Sequence, residues 1–394
     1  MNILMLSSTF PYPPSRGGTE VRTFHLLRHL AQAHSVTIAT QRHSQVCDRE
    51  VELLKQYVDQ LLVFPLAESP KTSSWSAKID RFFQSWKQQT PPNVLHRYSP
   101  DMQHWIDQNL TNFDVVTCEH SVNEIYISAN KTRSIVNIHS SIYGWTRNQL
   151  AAGASSHLLR DRLYLPLLKR YEQRYCQKFD RIVVTTEDDR QTLHSIGITK
   201  PIDVIPNGVD LDIFPMRSHD PANHQLVFVG AMDAVHNIDA MRFFVLEVLP
   251  QLRQRHPDAR LAIVGARPTA QVQSLAAHPG VEVTGEVGSI APWLHQATVC
   301  VLPLRVGFGI KNKTLEAMAA GVPIVGSDRA LEGLPQAGLR ANRVEDYVEA
   351  IDRLFAQPHL RAHLSQQGRA CVEQHYTWAQ IGRRYAEVLQ PPTD

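Results

Sequence analysis

Short apolar runs that end in glycine or proline and lead into a helical pattern recur through this sequence, and that alternation constrains its fold most. In the second half the series is regular. Predicted strands at 225–229, 260–264 and 281–284 end in Gly230, Gly265 and Gly285, and one at 298–302 ends in Pro303. Helical patterns at 237–255 and 314–320 are interleaved with them, and a further strand is predicted at 323–326. The first half repeats the theme less evenly, with strands at 3–6, 35–40, 61–64, 115–117, 134–138 and 181–185. A helix over 19–33 is marked by Val21, Phe24, Leu27 and Leu30 at helical spacing. Strands separated by helices pair in parallel through right-handed crossovers, and open sheets of this kind bind ligands at the carboxyl ends of their strands.

A chain of 394 residues is too long for one ordinary core and suits two α/β domains. The segment Ile205-Pro206-Asn207-Gly208-Val209-Asp210 and the polar stretch 216–224 mark a junction, giving an N-terminal domain of 1–205 and a C-terminal domain of 206–376. An amphipathic helix at about 377–389, carrying Trp378, Ile381, Tyr385 and Leu389, is expected to pack back on the first domain together with the rest of 377–394. Net charge of +2 gives no field for nucleic acid, so no nucleic-acid partner is expected. Five separated cysteines, without a CxxC pattern, read as reduced thiols in a cytoplasmic protein. The apolar start Met1–Leu6 reads as a strand and not as a signal peptide, and no apolar run reaches the roughly 18 residues a spanning helix needs. Membrane contact would then be peripheral, on the inner face of the cytoplasmic membrane. Residues 75–87 place Trp75, Ile79, Phe82, Phe83 and Trp86 beside Lys78, Arg81 and Lys87, and 158–178 carry six basic residues among leucines and tyrosines. Such helices suit an anionic bilayer surface, and equally a core stripe with a solvated face.

The richest candidate site runs from Pro303 through Arg305, Gly307, Gly309, Ile310, Lys311, Asn312 and Lys313 to Glu316. Glycines let backbone amides approach an anion, the following helix offers unpaired N–H groups, and Arg305, Lys311 and Lys313 add full charges. The arrangement reads as a diphosphate cradle, with Glu316 in about the first helical turn where a carboxylate accepts from ribose hydroxyls; a solvated helix start is the alternative. A second candidate is the loop 7–18 after the first strand, where Gly17 and Gly18 offer amides and Thr19 is placed to cap the helix. Third, His139 and His120 each stand at the carboxyl end of a strand, though with 19 histidines in the chain a structural histidine is the alternative for either. No HExxH, GxSxG or strand-flanked DxD occurs, so no metal and no other cofactor is expected.

Taken together and in this order, Gly17-Gly18, His139, the IPNGVD segment 205–210, the strand end Phe228-Val229-Gly230 and the LEAMAAGVP segment 315–323 resemble the retaining glycosyltransferases of family 4 over nearly the whole chain. The string GIxNKxLEAMA is similar to that of bacterial exopolysaccharide sugar transferases, including the exosortase-associated type. The resemblance implies two Rossmann-like domains with parallel sheets facing a central cleft, the GT-B fold. It implies a UDP- or GDP-sugar donor held mainly by the second domain and a glycan or lipid-linked acceptor held mainly by the first. Glu316 would meet the donor ribose, His139 the transferred sugar, Gly17 or Gly18 the donor phosphates, Gly230 the first strand end of the donor domain, and Val287 the base. Lys311 and Lys313, with Arg305, Gly309, Ile310 and Asn312 around them, would stabilise the leaving diphosphate. The sequence departs from the family in two places. Phe308 stands where many members carry a second glutamate, and the stretch after Gly230 lacks the usual Arg and Lys. A degenerate, non-catalytic subunit and a sugar-nucleotide epimerase are the competing readings.

Overall fold

The computed structural model describes residues 1–14, 17–66, 85–128, 132–151, 157–306, 310–334 and 338–391. Gly309, Phe308 and most of the aromatic–basic stretch 75–87 lie outside the described residues. The chain forms two compact units, Met1–Pro206 with Trp378–Asp394, and Asn207–Thr377.

The first unit holds a seven-stranded parallel sheet made of β1 (Asn2–Ser7), β2 (Ser35–Arg42), β3 (Gln60–Pro65), β4 (Val115–Glu119), β5 (Arg133–Ile138), β6 (Arg181–Val184) and β7 (Ile202–Val204). Their order is β3-β2-β1-β4-β5-β6-β7, so the direction of winding reverses between β1 and β4. Parallel strands covered on both faces need apolar residues on both, and β1 supplies them. Ile3 and Met5 join one core with Phe24, Leu27 and Ile38, while Leu4 and Leu6 join another with Val116, Tyr171 and Tyr175.

The second unit holds β8 (Gln225–Val229), β9 (Arg260–Val264), β10 (Val281–Gly285), β11 (Val299–Leu302), β12 (Ile324–Gly326) and β13 (Leu339–Arg340). The order is β10-β9-β8-β11-β12-β13, again parallel, with the reversal between β8 and β11. The helix expected over 237–255 is divided into Val235–Phe243, a wide π-type turn at Phe244–Val248 and Leu249–Arg255. Pro250 explains the break, since it cannot donate to the carbonyl four residues back and its ring crowds that turn. Strands β7 and β13, of three and two residues at the sheet edges, are too short to show periodicity and are not among the predicted strands.

The last helix, Trp378–Leu389, buries Trp378, Ile381, Tyr385 and Leu389 against the face that also carries Phe24 and Leu27. It runs close to the helix Gly18–Leu30: the Trp378 indole stacks on the His25 ring at 4.6 Å, and a Cβ at Gly382 would lie 2.2 Å from the His29 ring. Beneath it lies a buried polar network. Tyr385 Oη donates to Glu119 Oε1 at 2.6 Å and meets Thr117 Oγ1, and Asn137 Nδ2 donates to Glu119 Oε2 at 2.8 Å. Arg22, 1% exposed, donates to Asn137 Oδ1 at 3.1 Å and to the carbonyls of Ile205 and Pro206 at 2.9 Å each. Burial lowers the Arg22 pKa to about 10, with Glu119 opposing the shift, and burial raises that of Glu119 against the hydrogen bonds it accepts. Removing a donor from a buried carboxylate costs ~1.5–3 kcal/mol. Tyr385→Phe should therefore lower the stability of this unit by about that much in chemical denaturation, and an unchanged midpoint would show that the network is not sharing the Glu119 charge.

Candidate functional site

In the second unit the predicted residues gather at the carboxyl ends of β8 and β11, the point where the winding reverses. Gly230 ends β8 with φ of +156°, and the space where its side chain would stand is occupied: an added Cβ would lie 2.7 Å from Lys313 Nζ and 2.8 Å from Asn237 Nδ2. Gly265, at the end of β9, has φ of +152° and abuts Gly230 so closely that a Cβ would lie 1.7 Å from the Gly230 carbonyl oxygen. These two glycines let neighbouring strand ends and a lysine share one small volume.

Lys313 is the second residue of the helix Asn312–Ala319, which follows the Gly-rich loop. Its Nζ donates to Asn237 Oδ1 at 2.6 Å and lies 4.2 Å from the centroid of the Phe228 ring, while Asn237 Nδ2 donates to the Ala231 carbonyl at 2.7 Å. Hydrogen bond and ring face together fix the ammonium at the end of β8. Glu316 is the fifth residue of this helix, one turn beyond Lys313 and so in the second turn, not the first. Both side chains are half-buried. Burial lowers the Lys313 pKa to about 7 against the attraction of Glu316, and burial raises the Glu316 pKa to about 7 against the attraction of Lys313. Each group is thus poised to gain from an oppositely charged or hydrogen-bonding ligand. His236 is held down to about 4 by burial and by the charges of Lys313 and Lys311, so it is neutral at pH 7.

The other predicted residues are more dispersed. Lys311 precedes the helix and faces Glu332 at 3.8 Å. Arg305 makes a two-pronged pair with Asp239, at 2.9 and 2.5 Å, and lies over the Phe243 ring, so its charge is engaged away from the helix start. Asn312 Oδ1 accepts from Asn207 at 2.9 Å, and Ile310 packs beside Gly333. Val287 stands beyond the end of edge strand β10, partly buried against the core.

In the first unit, Gly17 precedes the helix Gly18–Leu30 in an extended conformation. Its missing side chain makes room for Glu20, whose Oε2 would lie 2.7 Å from an added Cβ. Thr19 lies inside the first turn and does not cap the helix. His139 follows β5 and His120 follows β4, and their rings meet edge to face with centroids 5.2 Å apart. The Thr185 hydroxyl holds the His139 carbonyl at 2.9 Å, while His139 Nε2 is buried and unpartnered among the described residues. Burial, then the neighbouring His120 and Arg22, keeps the His139 pKa well below the usual range, and burial with Arg97 lowers His120 to about 4. Both are neutral imidazoles near pH 7, able to hydrogen-bond and polarise but not to carry a charge. Arg97, which sequence reasoning missed, donates to the Ser8 carbonyl at 3.2 Å and to Thr9 Oγ1 at 3.3 Å, just past β1.

A family model described as Glycosyltransferase Family 4 matches residues 16–213, and one described as Glycosyl transferases group 1 matches residues 223–357. The chain belongs to glycosyltransferase family 4. Among curated relatives, the D-inositol 3-phosphate glycosyltransferase of Frankia alni is 29% identical over 262 residues, covering 56% of this chain and 62% of that protein. The GDP-mannose-dependent alpha-(1-6)-phosphatidylinositol monomannoside mannosyltransferase of Mycolicibacterium smegmatis is 25% identical over 289 residues, covering 66% of this chain and 71% of its own. The chain thus spans less than two thirds of the Frankia protein's length. The Anabaena HepE protein, solved in complex with UDP, shares the GT-B fold with a TM-score of 0.69 and 14% identity over 99% of both chains.

The Gly230–Gly265 contact is the tightest in the second site. Gly265→Ala should cost roughly 1–3 kcal/mol or more of stability, because the methyl must displace the end of β8 and the backbone is in a region that alanine avoids. A variant with unaltered melting temperature would contradict this packing.

Proposed function

We propose that this family 4 member transfers a sugar from a UDP- or GDP-sugar to a glycan or lipid-linked acceptor with retention of configuration, in the synthesis of a cell-surface glycan or exopolysaccharide. The observation that carries the reading is Lys313, fixed by Asn237 and the Phe228 ring at the winding reversal of the second unit, with Glu316 one turn further on. The stretch after Gly230 lacks the usual cations, and the Lys313 ammonium stands against Gly230, reaching it from the helix that follows the neighbouring strand β11. The relatives whose names mention GDP-mannose and inositol phosphate, and the fold shared with a UDP-bound protein, support a nucleotide-sugar donor.

As the glycosidic bond breaks, negative charge develops on the leaving diphosphate. In this reading Lys313, Lys311 and the first amides of the helix Asn312–Ala319 stabilise that charge without a metal, and Glu316 accepts from the ribose hydroxyls. In the first unit, Gly17 and Gly18 are the candidates for the donor phosphates, and neutral His139, whose Nε2 is unpartnered among the described residues, is the candidate for the transferred sugar. The acceptor hydroxyl attacks the face the diphosphate leaves, and the departing phosphate oxygen takes its proton.

Two ionisations near pH 7 act in opposite senses on donor binding. Below about 7 Glu316 takes up a proton and can no longer accept from two hydroxyls as a carboxylate; above about 7 Lys313 loses its charge. The affinity for an intact nucleotide sugar, whose phosphodiesters do not titrate in this range, should therefore peak near neutrality and fall by up to about tenfold per pH unit on each side. Lys313→Met should bind at least about tenfold more weakly, lose the basic limb, and keep or raise the melting temperature because a half-buried charge is gone. Calorimetric titration across pH in EDTA checks all of this; a pH-independent affinity, or wild-type binding by the variant, would overturn the assignment of Lys313.

The helix Leu158–Cys176 gives the acceptor side a place to meet a lipid surface. Leu159 and Leu163 are 77% and 59% exposed, Leu158 is exposed as well, as is Trp145 of the separate helix Ile142–Ala151, and Arg160, paired with Asp161, and Arg162 stand between the leucines. No helix among the described residues is long and apolar enough to cross a membrane. An exposed apolar edge flanked by arginines fits peripheral attachment to anionic lipid. Co-sedimentation with vesicles containing phosphatidylglycerol should fall several-fold in Leu159→Ser with Leu163→Ser, while nucleotide-sugar affinity stays constant; equal sedimentation of both proteins would remove this helix from the membrane contact.

A further inference from the structure

We propose that Arg97 and His120 form a preorganised subsite for an oxyanion, a phosphoryl or carboxylate group carried by the acceptor, at the winding reversal of the first unit. The word acceptor rests on the function proposed above; the oxyanion site itself rests on geometry. Arg97 sits in a loop whose backbone is pinned from three directions. Its carbonyl accepts from Gln41 Nε2 at 2.9 Å and from Tyr126 Oη at 2.8 Å, and the Ser99 amide donates to the same Tyr126 oxygen at 2.9 Å. The guanidinium is anchored by one nitrogen only. Nη1 donates to the Ser8 carbonyl and Thr9 Oγ1, whereas Nε and Nη2 have no hydrogen-bond partner among the described residues. That leaves one N–H edge of a planar fork open, the geometry that matches a bidentate oxyanion.

His120 is built into the same place. Its φ of +78° is a conformation that non-glycine residues seldom adopt, and strain of this kind persists where the surroundings enforce it. Asn123 enforces it here: its amide and Nδ2 both donate to the His120 carbonyl, at 3.2 and 3.3 Å, and its Oδ1 accepts from Ser8 Oγ at 2.5 Å. Ser8 thereby ties the Arg97 anchor to the His120 backbone. The Val122 amide donates to His120 Nδ1 at 3.4 Å, so the ring proton of the neutral imidazole resides on Nε2. Through Ser8 and Asn123 the structure thus links a guanidinium with an open edge to an imidazole with an Nε2–H, both donors, and the His120 ring meets that of His139, whose Nε2 is buried and unpartnered among the described residues. Glu20, whose charge favours the charged guanidinium of Arg97, makes no ion pair with it within 4.0 Å among the described residues. A neutral sugar hydroxyl needs acceptors as well as donors; a set of donors around one cation selects an oxyanion.

The test uses the full chain saturated with a UDP- or GDP-sugar, so that donor-site phosphate binding is already occupied, and titrates pyrophosphate and, separately, glucuronate. Wild type should bind at least one of them. Arg97→Gln should weaken that binding at least tenfold, and Arg97→Lys, which keeps the charge but not the fork, should weaken it less. Preference for pyrophosphate identifies a phosphoryl-bearing acceptor, and preference for glucuronate an acidic sugar. Nucleotide-sugar affinity should stay within about threefold in both variants, and the lysine variant guards against simple loss of the Ser8–Thr9 loop. Absence of oxyanion binding to wild type, equal binding by Arg97→Gln, or a tenfold loss of nucleotide-sugar affinity in the variants would each overturn the proposal. If wild type binds no nucleotide sugar, the donor reading fails, and the same titrations without it still decide the role of Arg97.

Discussion

Glu119 is a carboxylate with no access to water, and the first unit is arranged around satisfying it. Tyr385 comes from the last helix, Asn137 from β5 and Thr117 from β4, so one carboxylate binds a residue 266 positions away in the chain. Arg22 balances that charge through Asn137 and spends its remaining donors on the carbonyls of Ile205 and Pro206, where the chain leaves the unit. An unpaired buried charge costs several kcal/mol, whereas the hydrogen bonds to Glu119 and the nearby Arg22 charge offset that cost. Because Asn137 is two residues from His139, and Glu119 is adjacent to His120, the same network sets the strand ends from which both histidines project.

The second unit solves a different problem with the same economy of space. The family pattern places cations after the first strand, and here that loop carries none. Gly265 lets the ends of β8 and β9 close on one another, and at Gly230 the space of the absent side chain is filled by Lys313 from the helix that follows β11, held by Asn237 and the face of Phe228. Burial brings both Lys313 and Glu316 toward neutrality, so binding of an anion beside a ribose would restore the charge on each. Arg305, by contrast, is engaged by Asp239 and Phe243, and Lys311 faces Glu332, so Lys313 and the helix amides are the main electropositive groups at this end of the unit.

The parallel α/β fold was legible because its signal is local. Strands such as 225–229 and 260–264 are continuous apolar runs ended by glycine, and the last helix repeats Trp378, Ile381, Tyr385 and Leu389 at helical spacing. Glu316, Lys313 and His139 were legible as a motif, and His139 with His120 from their places at strand ends. Arg22 and Arg97 were not. Each lies among residues that give no motif, and each acquires its role from groups far off in sequence: Asn137 is 115 residues from Arg22, and Ser8 is 89 from Arg97. Asn237 escaped for the same reason, since its partner Lys313 is 76 residues away. The wide turn at Phe244–Val248 was missed because a helical pattern runs on through Pro250 and does not reveal how the backbone absorbs it.

The central claim is that the Lys313–Glu316 face of the second unit binds a nucleotide sugar. The most direct measurement is titration of UDP-, GDP- and ADP-sugars into wild type and Glu316→Ala at neutral pH, with the melting temperature followed in parallel. At a ligand concentration about 100 times its dissociation constant, a bound donor stabilises the protein by roughly 2.7 kcal/mol, an easily measured shift. The account predicts that one nucleotide class binds wild type and that Glu316→Ala binds it at least about tenfold more weakly. Equal affinity in the two proteins, or no binding of any nucleotide sugar to wild type, would contradict it.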